Sequence, residues 1–216
     1  MAREPRQKGT SVLPVVAALK AHPDRQKLVP ESLWKYFEDP GLVSGWYPEG
    51  VYFALLEALV KTLDPAALGG DVWRYFARFS VQRDIVGVDA TGTVPSGYRG
   101  IYGSFAEVDA SDPAQFFRQT SRLWSQYHDT GAVQIRGGRV ATNTVVLGLL
   151  GFHIPIEGFV HLQGYYVEEL GRLVGLQIVS KVTESTARGK PTCEWEYALA
   201  RTPATEAYVA SLALLA

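Results

Sequence analysis

The stretch "LQIVSKVTESTARGKPTCEWEYALAR", residues 176–201, decides the fold. Two extended runs, 176–186 and 191–201, flank a polar turn around Arg188, Gly189 and Lys190. In the second run Cys193, Trp195, Tyr197 and Leu199 alternate with Glu194, Glu196 and Ala198. Side chains on a strand point to opposite faces with a period of two, so this alternation predicts a hairpin with one buried face. Cys193, the single cysteine of the chain, then faces inward with the aromatics as a small hydrophobe.

Outward from the hairpin, the period changes. Ile156, Phe159, Val160, Gln163, Tyr166, Val167, Leu170 and Val174 trace one face of a helix, and Gly158, Gly164 and Gly171 would let its backbone approach a neighbour closely. Before it, "AVQIRGGRVATNTVVLGLL" holds two extended runs around Gly137-Gly138, which predicts a second hairpin turning at that pair. The order strand, strand, helix, strand, strand follows, closed by "PATEAYVASLALLA" as a C-terminal helix.

The first half has helical spacing. Segments 12–21 and 31–38 are short helices, and "WYPEGVYFALLEALVKTL" repeats Tyr52, Leu55, Leu56, Leu59 and Leu63 after a Pro48 suited to a helix start. Another helix is expected over about 71–84, with Val72, Phe76 and Phe79 on one stripe, and a further one begins at Pro113 and stops at Gly131. Residues 87–100, rich in Gly, Ser, Thr and Pro, read as a mobile connection. The fold class expected is α+β: a helical N-terminal half packed on a small antiparallel sheet. Residues 1–10 are expected to be a flexible N-terminus, and 11–216 a single domain with a helical subregion over 11–130 and a sheet subregion over 131–216.

Composition limits the function. With 47% hydrophobic residues in 216, the chain can bury a core. Lys plus Arg number 21 against 22 Asp plus Glu, so no general pull toward phosphate backbones exists and no nucleic-acid partner is expected. The N-terminus lacks the apolar run of a signal peptide, and no apolar stretch reaches the length of a bilayer span. A cytoplasmic location and no membrane span are expected.

The strand order and the turn "ESTARGKPTCEWEY" resemble the 4-vinyl-reductase domain, which also occurs as a sensor module in phenol-responsive transcription activators. Glu184, Gly189, Cys193 and Trp195 stand at places of that family's pattern, with Thr186 where the first cysteine belongs. The helical half, including "GWYPEGVYFALLEAL" at 45–59, is similar to the bacterial relatives of haem nitric-oxide-binding domains and to a paralogous bacterial family of unknown function. The resemblance implies a fold in which helices and a small sheet can enclose a hydrophobic pocket, and a zinc site made by cysteines and a glutamate in sensor members. One thiol and one carboxylate fall short of the four ligands a structural zinc needs. His128, in "QYHDTG", is comparable to the proximal haem ligand, but the Tyr-x-Ser-x-Arg triplet is missing. A helix-capping histidine is the better reading. The expectation is no cofactor, neither haem nor zinc.

Catalytic patterns are equally incomplete. "SLWK" at 32–35 lacks its companion motifs, "RGKPT" has Pro191 where a P-loop needs Ser or Thr, and the adjacent Glu168 and Glu169 diverge around a helix, as on a solvated face. No nucleophile, base or metal set is assembled, and no enzyme is expected. What remains is aromatic weight, with 5 Trp, 11 Tyr and 9 Phe. Phe76, Phe79, Phe117, Trp124, Tyr127 and Tyr166 are the candidates for lining a pocket for a small hydrophobic ligand. The function expected is a non-catalytic sensory or signalling domain, binding such a ligand or relaying a signal by protein contact. The alternative is a ligand-free adaptor acting through a homodimer or a partner protein.

Overall fold

In the computed structural model, described for residues 4–39, 41–42, 44–86 and 108–214, the chain is α+β, with helices through its N-terminal half and a four-stranded antiparallel sheet in its C-terminal half. It divides into two compact units, one from Met1–Val72 and Leu123–Gly131, the other from Trp73–Arg122 and Ala132–Ala216. The segment 87–100 lies outside the described residues.

The first unit holds β1 (Arg6–Lys8), α1 (Gly9–Ala21), α2 (Arg25–Leu28), α3 (Lys35–Glu38), β2 (Trp46–Pro48) and α4 (Glu49–Val60). Arg6–Lys8 is a strand, where the sequence reading has a flexible start. It pairs antiparallel with β2, Gln7 opposite Tyr47, and an isolated bridge joins Gln7 to His128 on its other side. Pro48 precedes α4 as expected, and Leu55, Leu56 and Leu59 are buried along it.

The second unit contains α5 (Val72–Val81) from Trp73 onward, continued by a π-helical turn over Gln82–Val86. α6 (Pro113–Tyr127), in this unit as far as Arg122, starts with Pro113 in its first turn, where Asp112 Oδ1 accepts from the Gln115 amide at 2.8 Å. Strands β3 (Ala132–Arg139), β4 (Thr144–Leu150), β5 (Ile178–Glu184) and β6 (Cys193–Leu199) lie in the order β3-β4-β6-β5, with α7 (Glu157–Val174) between the hairpins and α8 (Pro203–Ala213) last. Pairing partners on adjacent strands share a face. Gly138, Val145, Tyr197 and Ser180 are therefore on one side, together with Leu147, Leu149, Cys193, Trp195 and Ile178. Both helices cover that side. The Trp195 indole donates to Val160 O of α7 at 2.9 Å, and a Cβ on Gly138 would meet Val209 O of α8 at 2.5 Å.

Close approach explains the glycines of α7: a Cβ on Gly164 would sit 2.8 Å from Ser180 Oγ, and one on Gly171 2.6 Å from Ile178 Cδ1. The turn of the first hairpin is corrected. Gly137 is not in it; it sits in β3 at a register shift, with φ of 151°, and forms a bulge. The turn falls at Val140–Asn143, because Asn143 adopts the left-handed conformation (φ 50°) and its side chain is held there, donating to Leu199 O and Thr205 Oγ1, both at 3.1 Å.

Glu168 and Glu169 are not a solvated face. Glu168 accepts from Arg74 at 2.5 Å and from the Ser180 amide and hydroxyl at 2.7 and 2.6 Å, while Glu169 is 5% exposed and pairs with Arg172. Glu168 thus joins α5 to α7 and caps an amide of edge strand β5, which hinders addition of another strand there. Among the described residues, no helix is long and apolar enough to cross a membrane.

Candidate functional site

The second unit concentrates its aromatic rings where α6, α8 and the covered face of the sheet come together. Phe117 of α6 is fully buried. Its ring meets Phe116 edge-on at 5.1 Å between centroids, Tyr197 of β6 at 6.1 Å, and Tyr208 of α8, stacked at 5.9 Å with 20° between planes. Each ring is placed by its own element's periodicity. Tyr197 is an inward residue of β6, and Tyr208 is carried by a helix whose start is fixed by Pro203 and by the reciprocal hydrogen bonds of Thr202 and Thr205.

Tyr208 is half-buried as a residue, yet its hydroxyl is buried and has no hydrogen-bond partner. An unpartnered buried hydroxyl costs about 1–3 kcal/mol, so it is uncommon in a packed core. Desolvation pushes the Tyr208 phenol up to about 12, with Arg118 opposing and Asp112 assisting, so the hydroxyl keeps its proton and is a donor at neutral pH. A small aromatic or apolar molecule bearing one acceptor would match this arrangement: rings for its body, one O–H for orientation.

The six residues singled out from sequence fall in different places. Phe117 is the centre of the cluster. Phe76 contacts Trp73 and Tyr75 within α5, Phe79 lies under the Arg83 guanidinium at 5.6 Å, and Tyr166 is buried on α7. Trp124 and Tyr127 belong to the first unit, where the Trp124 indole lies flat on the His128 imidazole at 3.7 Å. Tyr208 and Tyr197 were not among the candidates. Tyr197 was assigned to the core by alternation alone, and nothing local in "PATEAYVASLALLA" marks Tyr208, whose significance depends on Phe117, far away in sequence.

The thiol lies where the alternation puts it. Cys193 is fully buried and free, its Sγ 3.2 Å from Thr186 Oγ1 and 3.4 Å from the Thr186 amide. Burial pushes it above the usual thiol value, against the opposing effect of those two hydrogen bonds. Thr186, standing where the resembled family has a cysteine, also exchanges hydrogen bonds with the Ile154 amide and carbonyl, each at 2.9 Å. Its hydroxyl is engaged in bracing the loop before α7, so the pair does not fit a zinc site, and among the described residues no cluster of three His, Cys, Asp or Glu is positioned to hold a metal.

His128 is the main correction among the titratable groups. It is no solvated helix cap: it is 3% exposed, with Nδ1 2.7 Å from Glu49 Oε1. Burial lowers it to about 3, with Asp129 opposing, so at neutral pH it is a neutral imidazole and not a capping cation. No family model matches the chain, and no curated protein matches it.

Proposed function

We propose that the chain is a non-catalytic sensory domain whose second unit binds a small hydrophobic molecule carrying one hydrogen-bond acceptor. The observation that carries this reading is the buried Tyr208 hydroxyl without a partner, set against the Phe117, Phe116 and Tyr197 rings. The ligand would supply the missing hydrogen bond and take the place of contacts around Phe117, shifting α8 relative to the sheet. A ligand changes such an equilibrium only by its differential affinity for the two arrangements. A cytoplasmic setting agrees with the single thiol. A thermal-shift screen of aromatic and lipid-like compounds tests the proposal: compounds with an acceptor should raise Tm in the wild type and much less in Tyr208→Phe. Flat responses throughout the screen would sink it.

A second reading has its own observation. The face of the sheet opposite α7 and α8 carries Val179, 68% exposed, with exposed Ala198 and Lys181 and the Arg139–Glu196 ion pair at 2.6 Å. It is the natural surface for an adaptor acting by homodimerisation or through a partner protein. Val179→Glu should then abolish the association seen by light scattering or co-purification without changing the response to small molecules.

A further inference from the structure

The first unit contains a device that the sensory reading does not use. His128 and Glu49 are separated by 79 positions in sequence but share one 2.7 Å hydrogen bond, and both are almost fully buried. Around them, residues 128 and 129 fasten the N-terminal strand. The Asp129 amide donates to Arg6 O at 3.1 Å, the Arg6 amide and Nε both donate to the Asp129 carboxylate at 2.7 Å, and Gln7 bridges to His128. On the far side, the Glu49 amide donates to Pro5 O at 3.0 Å. Strand β1 is thus held between the start of α4 and the end of α6, with the pair at the junction.

We propose that His128 and Glu49 form a one-proton clasp: the pair keeps β1 fastened while it holds a single ionisable proton between its two side chains, and loosens β1 when that proton is lost.

The reason is charge. A protonated carboxyl beside a neutral imidazole, or a carboxylate beside an imidazolium, is net neutral, and the position of the proton matters little to the fold. Removing it leaves a buried anion; adding a second leaves a buried cation. Either is costly away from water. Among the described residues, no free cation faces Glu49. From β1, Arg6 is already committed to Asp129, and Lys8, on the opposite side of the strand from Gln7, stands over the Trp46 ring at 4.5 Å. The buried groups facing inward from β1 and α1, Gln7 and Thr10, are uncharged, β2 presents Tyr47, whose hydroxyl donates to Leu42 O, α6 presents the Trp124 ring, and Asp129 follows just beyond that helix. Asp129 acts on both members, and it favours keeping the proton.

Desolvation, then Asp129, raises Glu49 from 4.5 to about 8. The fastened state therefore keeps one proton up to about pH 8, whereas in an opened strand the carboxyl and the imidazole, at 4.5 and 6.5, keep none above pH 6.5. Opening becomes easier as pH rises through this interval and no easier beyond it.

Amide hydrogen exchange at Asp129 and residue 49, corrected for intrinsic rates, reads the clasp directly. In the wild type, protection should fall ~30-fold between pH 6.5 and 8 and then level off, tenfold per pH unit for one proton. In Glu49→Gln, which keeps a hydrogen-bonding side chain but has no proton to lose, protection should stay flat over the same interval. A flat wild type, or an equal fall in the variant, overturns the proposal. Should the variant fail to fold, NMR of the wild-type carboxyl and imidazole decides: one of the two must titrate near pH 8, and ordinary midpoints of 4.5 and 6.5 for both would refute the clasp.

Discussion

A phenol hydroxyl with nothing to bond is a cost that the apo protein bears. Replacing Tyr208 by Phe removes the hydroxyl and keeps the ring stacked on Phe117, so Tyr208→Phe should stabilise the ligand-free protein by ~1 kcal/mol, as measured by urea unfolding. A loss of stability would mean that the hydroxyl is satisfied. Cys193 gives a second test at this scale. Fully buried, and with its thiol pushed above the usual value, it should resist an aromatic disulfide reagent in the native state and react stoichiometrically once denaturant unfolds the chain. The His128–Glu49 pair also acts on the acid side. In the fold His128 is lowered from 6.5 to about 3 and Glu49 raised from 4.5 to about 8, so each destabilises in the opposite pH direction. The lowered histidine withdraws stability as pH falls from 6.5 through 3, and the raised glutamate withdraws it as pH rises from 4.5 through 8. The two slopes cancel between 4.5 and 6.5, leaving a plateau, and the remaining interval down to pH 3 spans about 1.5 pH units, worth ~2 kcal/mol. Comparing unfolding of the wild type with Glu49→Gln/His128→Gln from pH 3 to 8 should return that plateau in the difference curve.

Among the elements, α7 was the most legible in sequence. Its stripe of seven apolar residues and Gln163 reads as one helical face, and its glycines read as sites of close approach. Gly164→Ala should cost about 1–3 kcal/mol by overpacking against Ser180 and Trp195, despite the helix-propensity gain. Gly50→Ala in α4, where an added Cβ meets nothing within 4 Å, should instead leave stability unchanged or raise it by up to ~1 kcal/mol. Thermal unfolding of both variants separates packing from propensity. The β3–β4 turn was misplaced because two glycines are a stronger local turn signal than one asparagine, whereas Asn143 is held by partners on β6 and α8 that a local pattern does not contain. The same limit hid the partner of His128: Glu49 opens a helix 79 residues earlier, and its burial depends on β1 reaching back to cover it.

For the whole molecule, fold class and the succession of strands and helix along the C-terminal half could be drawn from periodicity, since each hairpin and helix carries its own pattern. The site could not. Phe117 was identifiable as an aromatic on an inward face, but Tyr208 acquires its role only when α8 folds onto α6, and Trp124, an equally good candidate by pattern, stacks on His128 in the other unit. A sensory role rests on that one hydroxyl being available to a ligand. Isothermal titration of wild type and Tyr208→Phe with p-cresol and toluene measures this availability directly, because the two probes differ only in a hydroxyl. The wild type should prefer p-cresol by ~10-fold, one hydrogen bond's worth, and the variant should bind both equally. If neither probe binds the wild type, or the preference persists in Tyr208→Phe, the proposed site is wrong.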